Sequence, residues 1–416
     1  MKTHLDKKVV VAILVIGGII MAIEFMKSPE RAQYRAPGTS EISLDATLQN
    51  QLQPDASCTN GNCTSTEPLV PDPLVNTPPA AAPVPEPPLR VLDKQKQYTR
   101  AQELVSPSGF LNLPAGVSSL RLAELVGKKV ILVDFWTYSC INCQRTTPYL
   151  NAWYEKYKDQ GLEIVGIHTP EFMFEKSREN VADAIARMGI AYPVVQDNDY
   201  GTWFAYGNRY WPRKYLVDID GFVVYDHIGE GGYEETERQI QRALAERAEV
   251  LRIDQPIGTG TVQINTNAPS GGVASPETYF GALRNGTLAN GKRGVSGEQT
   301  FTAPQTAQPN VLYLDGTWNV TGEYAEAKTA NAKVVFRYRA KNAYFVASAS
   351  AGVKVTVLRD GVPAPANIAG VDVQSGSVTV QADRLYHLIS EPAPSEHTLE
   401  LIIESPGLRA FTFTFG

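Results

Sequence analysis

Four cysteines fall as two close pairs, Cys58/Cys63 and Cys140/Cys143, in a chain of 416 residues. So few over that length cannot make a disulfide scaffold, and each pair is therefore read for its chemistry. Cys140-Ile141-Asn142-Cys143 follows closely on the apolar run KVILVDFW and opens a helical stretch. A C-x-x-C by itself could be half of a zinc site. At the start of a helix behind a buried strand, the first cysteine meets free N–H groups and the positive end of the helix dipole, which favour a thiolate. The second lies one turn in, within reach of a mixed disulfide formed on the first. Thiolate attack followed by intramolecular resolution is the full course of dithiol–disulfide exchange. Cys58 and Cys63 enclose Thr-Asn-Gly-Asn and read either as a small local disulfide clip or as an accessory redox pair relaying electrons to Cys140. A four-cysteine zinc site drawn from both pairs would tie a linker to a helix terminus, a poor way to build a closed site. No metal and no cofactor is expected.

The elements that must position Cys140 alternate strand and helix signals over residues 98–251, an α/β layout. KVILVDFW is nearly continuous in apolar residues, as a strand buried on both faces is. LEIVGIHT, YPVVQD, KYLVDIDG and FVVYDHI follow as strands, with helical stretches at 149–158, 176–188 and 234–250 between or after them. Asp220-Gly221 is a two-residue hairpin signal. Residues 252–273, rich in Gly, Thr, Asn and Pro, read as a linker. Over 274–416 the apolar period changes to two, at Val334/Phe336/Tyr338, Val353/Val355/Val357 and Phe411/Phe413/Phe415, which indicates an antiparallel β-sandwich.

Before the α/β region, residues 1–8 are basic and residues 9–26 are mostly apolar (VVVAILVIGGIIMAI at 9–23), with Lys27 beyond. This is short for a spanning helix and long for a signal-peptide core. The reading is an uncleaved single-pass anchor in the cytoplasmic membrane with the bulk of the chain in the periplasm, and cleaved export leads to the same compartment. Residues 27–97 carry nine prolines between Pro68 and Pro88. They read as a linker, either a polyproline II spacer or a tail with no metric role. The charge balance of 38 basic to 44 acidic residues, formally −6, excludes the basic footprint that nucleic-acid binding needs.

VDFWTYSCINC resembles the active-site segment of thioredoxins. The phrases FLNLPAG, FWTYSCINCQRT, GIHTPEF, YWPRKYLVD and GEGGYEETE are similar to the TlpA/ResA branch and, within it, to the periplasmic part of DipZ proteins. So are PETYFG, LYLDGTWNVTGEYAE and HTLELIIES in the last domain. The likeness covers about residues 98–416. It implies a thioredoxin-like domain followed by a jelly-roll-type, carbohydrate-module-like sandwich. It implies Cys140 as attacking thiol and Cys143 as resolving thiol. Asp134 would be the buried proton acceptor, and Trp136, Trp211 and a cis Pro212 would shape the substrate groove. The plainer reading of Asp134 is a solvated strand-end acid, against which stands the apolar run Val130 to Val133 before it, and an X-Pro bond is far more often trans. Glu171 reads as an accessory acid tuning the dithiol or as a plain acid near a helix start, and His168 and His227 as packed or exposed side chains. DipZ proteins carry a CcdA-like membrane domain, whereas this chain shows one apolar segment. The implied electron donor is therefore a separate CcdA/DsbD-like membrane protein.

The expected activity is thiol–disulfide exchange on protein substrates, as a reductase in cytochrome c maturation or envelope repair. Thr137-x-x-Cys140 also gives the T-x-x-C of peroxiredoxins, but Val133 stands where their motif wants proline, so a thiol peroxidase is the lesser alternative. A third class is an envelope glycan- or peptide-binding protein with a scaffold thioredoxin-like domain. Its ligand would stack on the aromatics Trp318, Tyr324, Tyr338, Tyr344, Phe345 and Tyr386, although aromatics in sandwiches usually serve the core.

Overall fold

The computed structural model describes residues 88–264 and 275–416. The expected anchor at 9–26, most of the 27–97 linker, Cys58 and Cys63 lie outside the described residues. Among the described residues no helix is long and apolar enough to cross a membrane.

The end of the Pro-rich stretch differs from expectation, because α1 (Leu89–Gln95) is a helix. Its cations explain why it docks. Lys94 Nζ reaches Asp218, Asp220 and Glu246, and Arg90 grips Asp220 with two nitrogens. These three acids lie close enough together to hold a metal ion, but Lys94 already contacts all three and Arg90 one of them.

The α/β domain follows as β1 (Gly109–Leu111), α2 (Leu122–Leu125), β2 (Val130–Trp136), α3 (Ile141–Tyr157), β3 (Leu162–His168), α4 (Arg178–Met188), β4 (Val194–Gln196), α5 (Gly201–Ala205), β5 (Arg213–Val217), β6 (Val223–Ile228) and α6 (Tyr233–Leu251). The strands order as β1-β4-β3-β2-β5-β6. β2, β3 and β4 are parallel, and β5 runs antiparallel to β2. All seven residues of β2 are buried, because helices cover both faces of the sheet. Val130, Leu132 and Trp136 pack with Leu150 and Trp153 of α3 and with Ile240 and Leu244 of α6. Ile131, Val133 and Phe135 face Leu122 and Trp203 on the other side. By strand alternation the side chain of Asp134 shares the α3 face. Gly166, paired with Asp134 across β2 and β3, has no side chain for a reason: a Cβ there would meet Trp136 Nε1 at 2.9 Å. Gly221 takes φ +86° in the β5–β6 hairpin.

Residues 252–264 are not a free linker. They run back over α3 and α6, with Ile257, Val262 and Ile264 packed on the core. Tyr149 Oη donates to Ile264 O at 3.0 Å, and both Lys156 Nζ and Gln241 Nε2 reach Gly260 O. Buried Glu237 fastens the strap by accepting from Val262 N at 2.6 Å, while also holding Lys156 Nζ and Tyr157 Oη at 2.8 Å.

The second domain comprises β7 (Thr278–Tyr279), β8 (Gly297–Phe301), β9 (Leu312–Val320), β10 (Ala325–Ala327), β11 (Ala332–Ala349), β12 (Val353–Arg359), β13 (Val362–Pro363), β14 (Ser377–Val380), β15 (Arg384–Ile403) and β16 (Leu408–Phe415). All ten join in one antiparallel network, rather than in two separately bonded sheets. The long strand β11 serves two neighbourhoods. Its first part pairs β15 and β9, its second part β15 and β16, with register shifts between them. Trp318, Tyr338, Phe345 and Tyr386 are buried in this core. Tyr344 is buried elsewhere, and Tyr324 packs on Phe411 at 5.1 Å. The aromatics singled out as a glycan platform are therefore engaged inside the protein.

The period-two pattern puts Phe411, Phe413 and Phe415 on one face, but the structure separates them. Val346 pairs Thr412 and Ala347 pairs Ala410, so Phe411 is an extra residue in a bulge. Phe413 and Phe415 enter the core, whereas Phe411 turns outward beside Tyr344, Val346 and Leu385. That outward face packs on the first domain, and the two domains belong to one compact unit.

The strap gives a test of Glu237. Glu237→Ala leaves three donors without their acceptor. The substitution is expected to lower unfolding free energy by about 2–4 kcal/mol in urea titrations and to open residues 252–264 to proteolysis. Unchanged stability and unchanged cleavage would refute this role.

Candidate functional site

The path from β2 to α3 sets the two sulfurs. After Trp136 the chain turns through Thr137-Tyr138-Ser139, and Cys140 becomes the N-cap of α3 with extended backbone (φ −76°, ψ 118°). Its sulfur thus lies at the positive end of a 17-residue helix. Cys140 is half-buried, Cys143 one turn on is buried, and both are free thiols. Pro148 sits inside α3 and has no N–H to give. In the turn before it, Thr146 Oγ1 donates to Asn142 O at 2.8 Å and Thr147 Oγ1 to Cys143 O at 3.0 Å.

Trp211–Pro212 is a cis peptide and faces this turn. Trp211 O lies 3.9 Å from Cys140 Sγ. The Trp211 ring packs on Trp203 at 4.3 Å and donates its Nε1 to Thr169 O at 3.0 Å. Trp136 is not a groove residue. It is 2% exposed and stands edge-on to His168 beneath the sheet surface. His168 is fully buried, stacked on Tyr138 and pushed down by burial to a pKa of about 3, so it is a neutral packing residue.

Asp134 lies within the sheet, 1% exposed, and no described side chain or backbone group hydrogen-bonds its Oδ1. Loss of water raises its pKa to about 7, against the pull of Lys214. Lys214 is directly across in register on β5 and fully buried. It is pushed down by burial, and its Nζ donates to Gly229 O at 3.1 Å. The Cys143 thiol is pushed well above its ordinary value by burial first, then by Cys140, with Asp134 adding to the rise. Asp134, Lys214 and Cys143 therefore form one electrostatic group under the helix start. A carboxyl titrating near neutrality there can take up and return a proton.

Sequence reasoning missed Lys214, whose partner is visible only once the β2–β5 register is known. Of the two readings of Glu171, the accessory acid at the dithiol is not the one the structure shows. Glu171 is not at the dithiol, because its Oε1 accepts from Tyr279 Oη at 3.0 Å and Arg284 Nη1 at 2.6 Å in the second domain. The acid beside the redox turn is Glu175, fully buried, with its pKa raised to about 7 by burial. Its Oε1 accepts from Ser139 N at 3.2 Å and Ser139 Oγ at 2.6 Å. Its Oε2 accepts from Glu171 N at 2.6 Å and Phe172 N at 3.0 Å. One carboxylate thus pins the residue before Cys140 to the neighbouring loop. No spacing signal marked it.

This arrangement is that of a dithiol oxidoreductase, and the comparisons agree. Residues 110–226 match the model of the AhpC/TSA family, and residues 275–416 the model described as thioredoxin like C-terminal domain. The thiol-disulfide oxidoreductase YkuV of Bacillus subtilis (strain 168) is 31% identical over 144 residues, 35% of this chain and 93% of that protein. The thiol-disulfide oxidoreductase ResA of Bacillus thuringiensis (strain Al Hakam) is 32% identical over 123 residues, 30% of this chain and 68% of that protein. The chain belongs to the thioredoxin-like thiol–disulfide oxidoreductases. A longer match runs to the protein DipZ of Mycobacterium tuberculosis (strain CDC 1551 / Oshkosh), 38% identical over 316 residues. It takes in 76% of this chain, which spans 43% of the length of that relative.

Asp134 makes stability depend on pH with a defined sign. Its pKa is about 7 folded and about 3.9 unfolded. Between those values the native state holds a proton that the unfolded chain has released, so stability falls as pH rises through that window. Asp134→Asn removes the effect. The variant is expected to gain on wild type from pH 4 to pH 8 by on the order of a few kcal/mol, read from urea unfolding at several pH values. A pH-independent difference would mean that Asp134 titrates as an ordinary carboxyl.

Proposed function

We propose that this protein is a membrane-anchored, extracytoplasmic reductase of protein disulfides, with Cys140 and Cys143 as its working dithiol. The observation that carries the reading is the buried carboxyl of Asp134 grouped with Lys214 and Cys143 under the N-terminus of α3. Cys140 thiolate attacks a client disulfide, forming a mixed disulfide and releasing one client thiol. Cys143 gives up its proton to Asp134 and attacks Cys140 Sγ. The second client thiol leaves, and the enzyme is left with a Cys140–Cys143 disulfide. Asp134 returns the Cys143 proton to the departing client sulfur, and the proton Cys140 lost on ionising reaches the other through solvent, so two electrons and two protons pass in total from the dithiol to the client. Trp211 O, beside Cys140 Sγ, is the backbone acceptor along which a client segment lies, with Pro212 fixing that turn.

The reductase direction is supported by the likeness to DipZ and by the buried carboxyl of Asp134, which is placed to take the Cys143 proton when the mixed disulfide is resolved. Anchoring is supported by the apolar run at 9–26 and the extracytoplasmic side by the likeness to DipZ. A CcdA/DsbD-like membrane protein is the electron donor this reading calls for. Cytochrome c maturation or repair of oxidised envelope thiols is the setting this chemistry fits.

The reduction potential of the Cys140–Cys143 pair tests the direction. A value around −270 mV or lower is expected, and one around −120 mV, among the strong oxidants, would overturn the reductase reading. Alongside it, Cys140→Ser is expected to abolish disulfide reduction, and Cys143→Ser to accumulate a mixed disulfide visible on non-reducing gels. Asp134→Asn is expected to slow resolution by roughly 10- to 100-fold at pH 7.

A further inference from the structure

Ile141, between the two cysteines at the start of α3, is only 7% exposed. Its cover comes from the second domain, where the outward side chains Tyr344, Val346, Leu385 and Phe411 meet it together with Phe172. Arg145, one turn further, is also buried, with its guanidinium 5.6 Å from the Tyr344 ring and 3.2 Å from Glu230. Polar links hold the edges of the contact. Glu171 meets Tyr279 and Arg284, Asn180 Nδ2 donates to Asp383 Oδ2 at 3.3 Å, and Met173 N donates to Glu323 Oε2 at 3.1 Å. These links take no part in thiol chemistry.

Attack on a disulfide is in line with the S–S bond, so chain on both sides of the client cysteine must clear whatever surrounds Cys140. Here one side is the backbone at Trp211, 3.9 Å from the sulfur, and the Ile141 side is walled by the second domain. We propose that the C-terminal β domain closes one flank of the dithiol, so that Cys140 accepts disulfides on short or extended segments lying along Trp211 and excludes those embedded in a folded protein surface. This rests on the reading of Cys140–Cys143 as the working dithiol. In a single turnover the protein's own dithiol supplies both electrons and both protons, becoming a disulfide as the client disulfide becomes two thiols.

The test uses prereduced full-length protein under single-turnover conditions with two probes, a nine-residue peptide closed by one disulfide and insulin. The wild type is expected to reduce the peptide at least about tenfold faster than insulin. Val346→Lys combined with Leu385→Lys charges the outward face of the wall. Glu171→Lys sets like charge against Arg284 at the rim without touching either core. Each is expected to raise the insulin rate by about tenfold while the peptide rate stays within twofold. If the lysine pair disrupts folding and loses peptide reduction, Glu171→Lys decides. An unchanged ratio with peptide reduction intact overturns the wall. A wild type that reduces neither probe overturns the dithiol reading and the wall with it.

Discussion

Asp134 is a carboxyl without water in a strand whose seven residues are all buried, and the chemistry of the site depends on that burial. Two-sided packing forces β2 to be apolar, so an acid within it is tolerated only by holding its proton or finding a counter-charge. Lys214, across the sheet on β5, supplies partial compensation and is itself pushed down by burial. The pair is therefore poised, with the carboxyl titrating near neutrality instead of in the ordinary acid range. The same packing that denies Asp134 water aligns α3 over it, because Leu150 and Trp153 of that helix share the face with Leu132 and Trp136. Fold and proton chemistry thus have one cause.

A second constraint acts from outside the α/β domain. Outward positions on an antiparallel sheet are polar when they meet solvent, yet β11, β15 and β16 present Tyr344, Val346, Leu385 and Phe411. Those residues make sense only as a covered surface, and what they cover includes the residue between the two cysteines. The bulge at Phe411 is the local device. One inserted residue in β16 turns a phenylalanine from the core toward Phe172 and Phe174, at 5.1 and 4.8 Å.

What could be read in the sequence followed from local pattern. The continuous apolar run made β2 legible, the close spacing of Cys140 and Cys143 made the dithiol legible, and resemblance supplied Asp134 and Pro212. What could not be read depends on register or on long-range contact. Lys214 looks like a strand-start lysine until β5 is set against β2. Trp136 looks like a groove aromatic until Gly166 is seen to make room for it. Residues 252–264 have a linker's composition, and only the buried Glu237 explains why they are pinned. Phe411 keeps perfect alternation in sequence, and a bulge is invisible to a count of two. α1 was hidden because proline upstream argued for extended chain, while the three acids that attract Lys94 lie more than 120 residues away.

The loop after β3 shows how these constraints meet. Glu171 and Glu175 lie four residues apart and are equivalent by type. One reaches outward to Arg284 of the second domain, and the other inward to Ser139 beside the nucleophile. Between them Phe172 packs on Phe411, and its backbone N–H is held by Glu175. The Glu175 carboxylate ties the Phe172 backbone to Ser139, the residue preceding Cys140, inside the α/β domain. The carboxylate is fully buried and accepts four hydrogen bonds, so it cannot let go of one side without leaving a donor unpaired. The turn that aims the sulfur is therefore held from within the α/β domain, and the wall of the second domain beside it bears on access to the dithiol rather than on its aim.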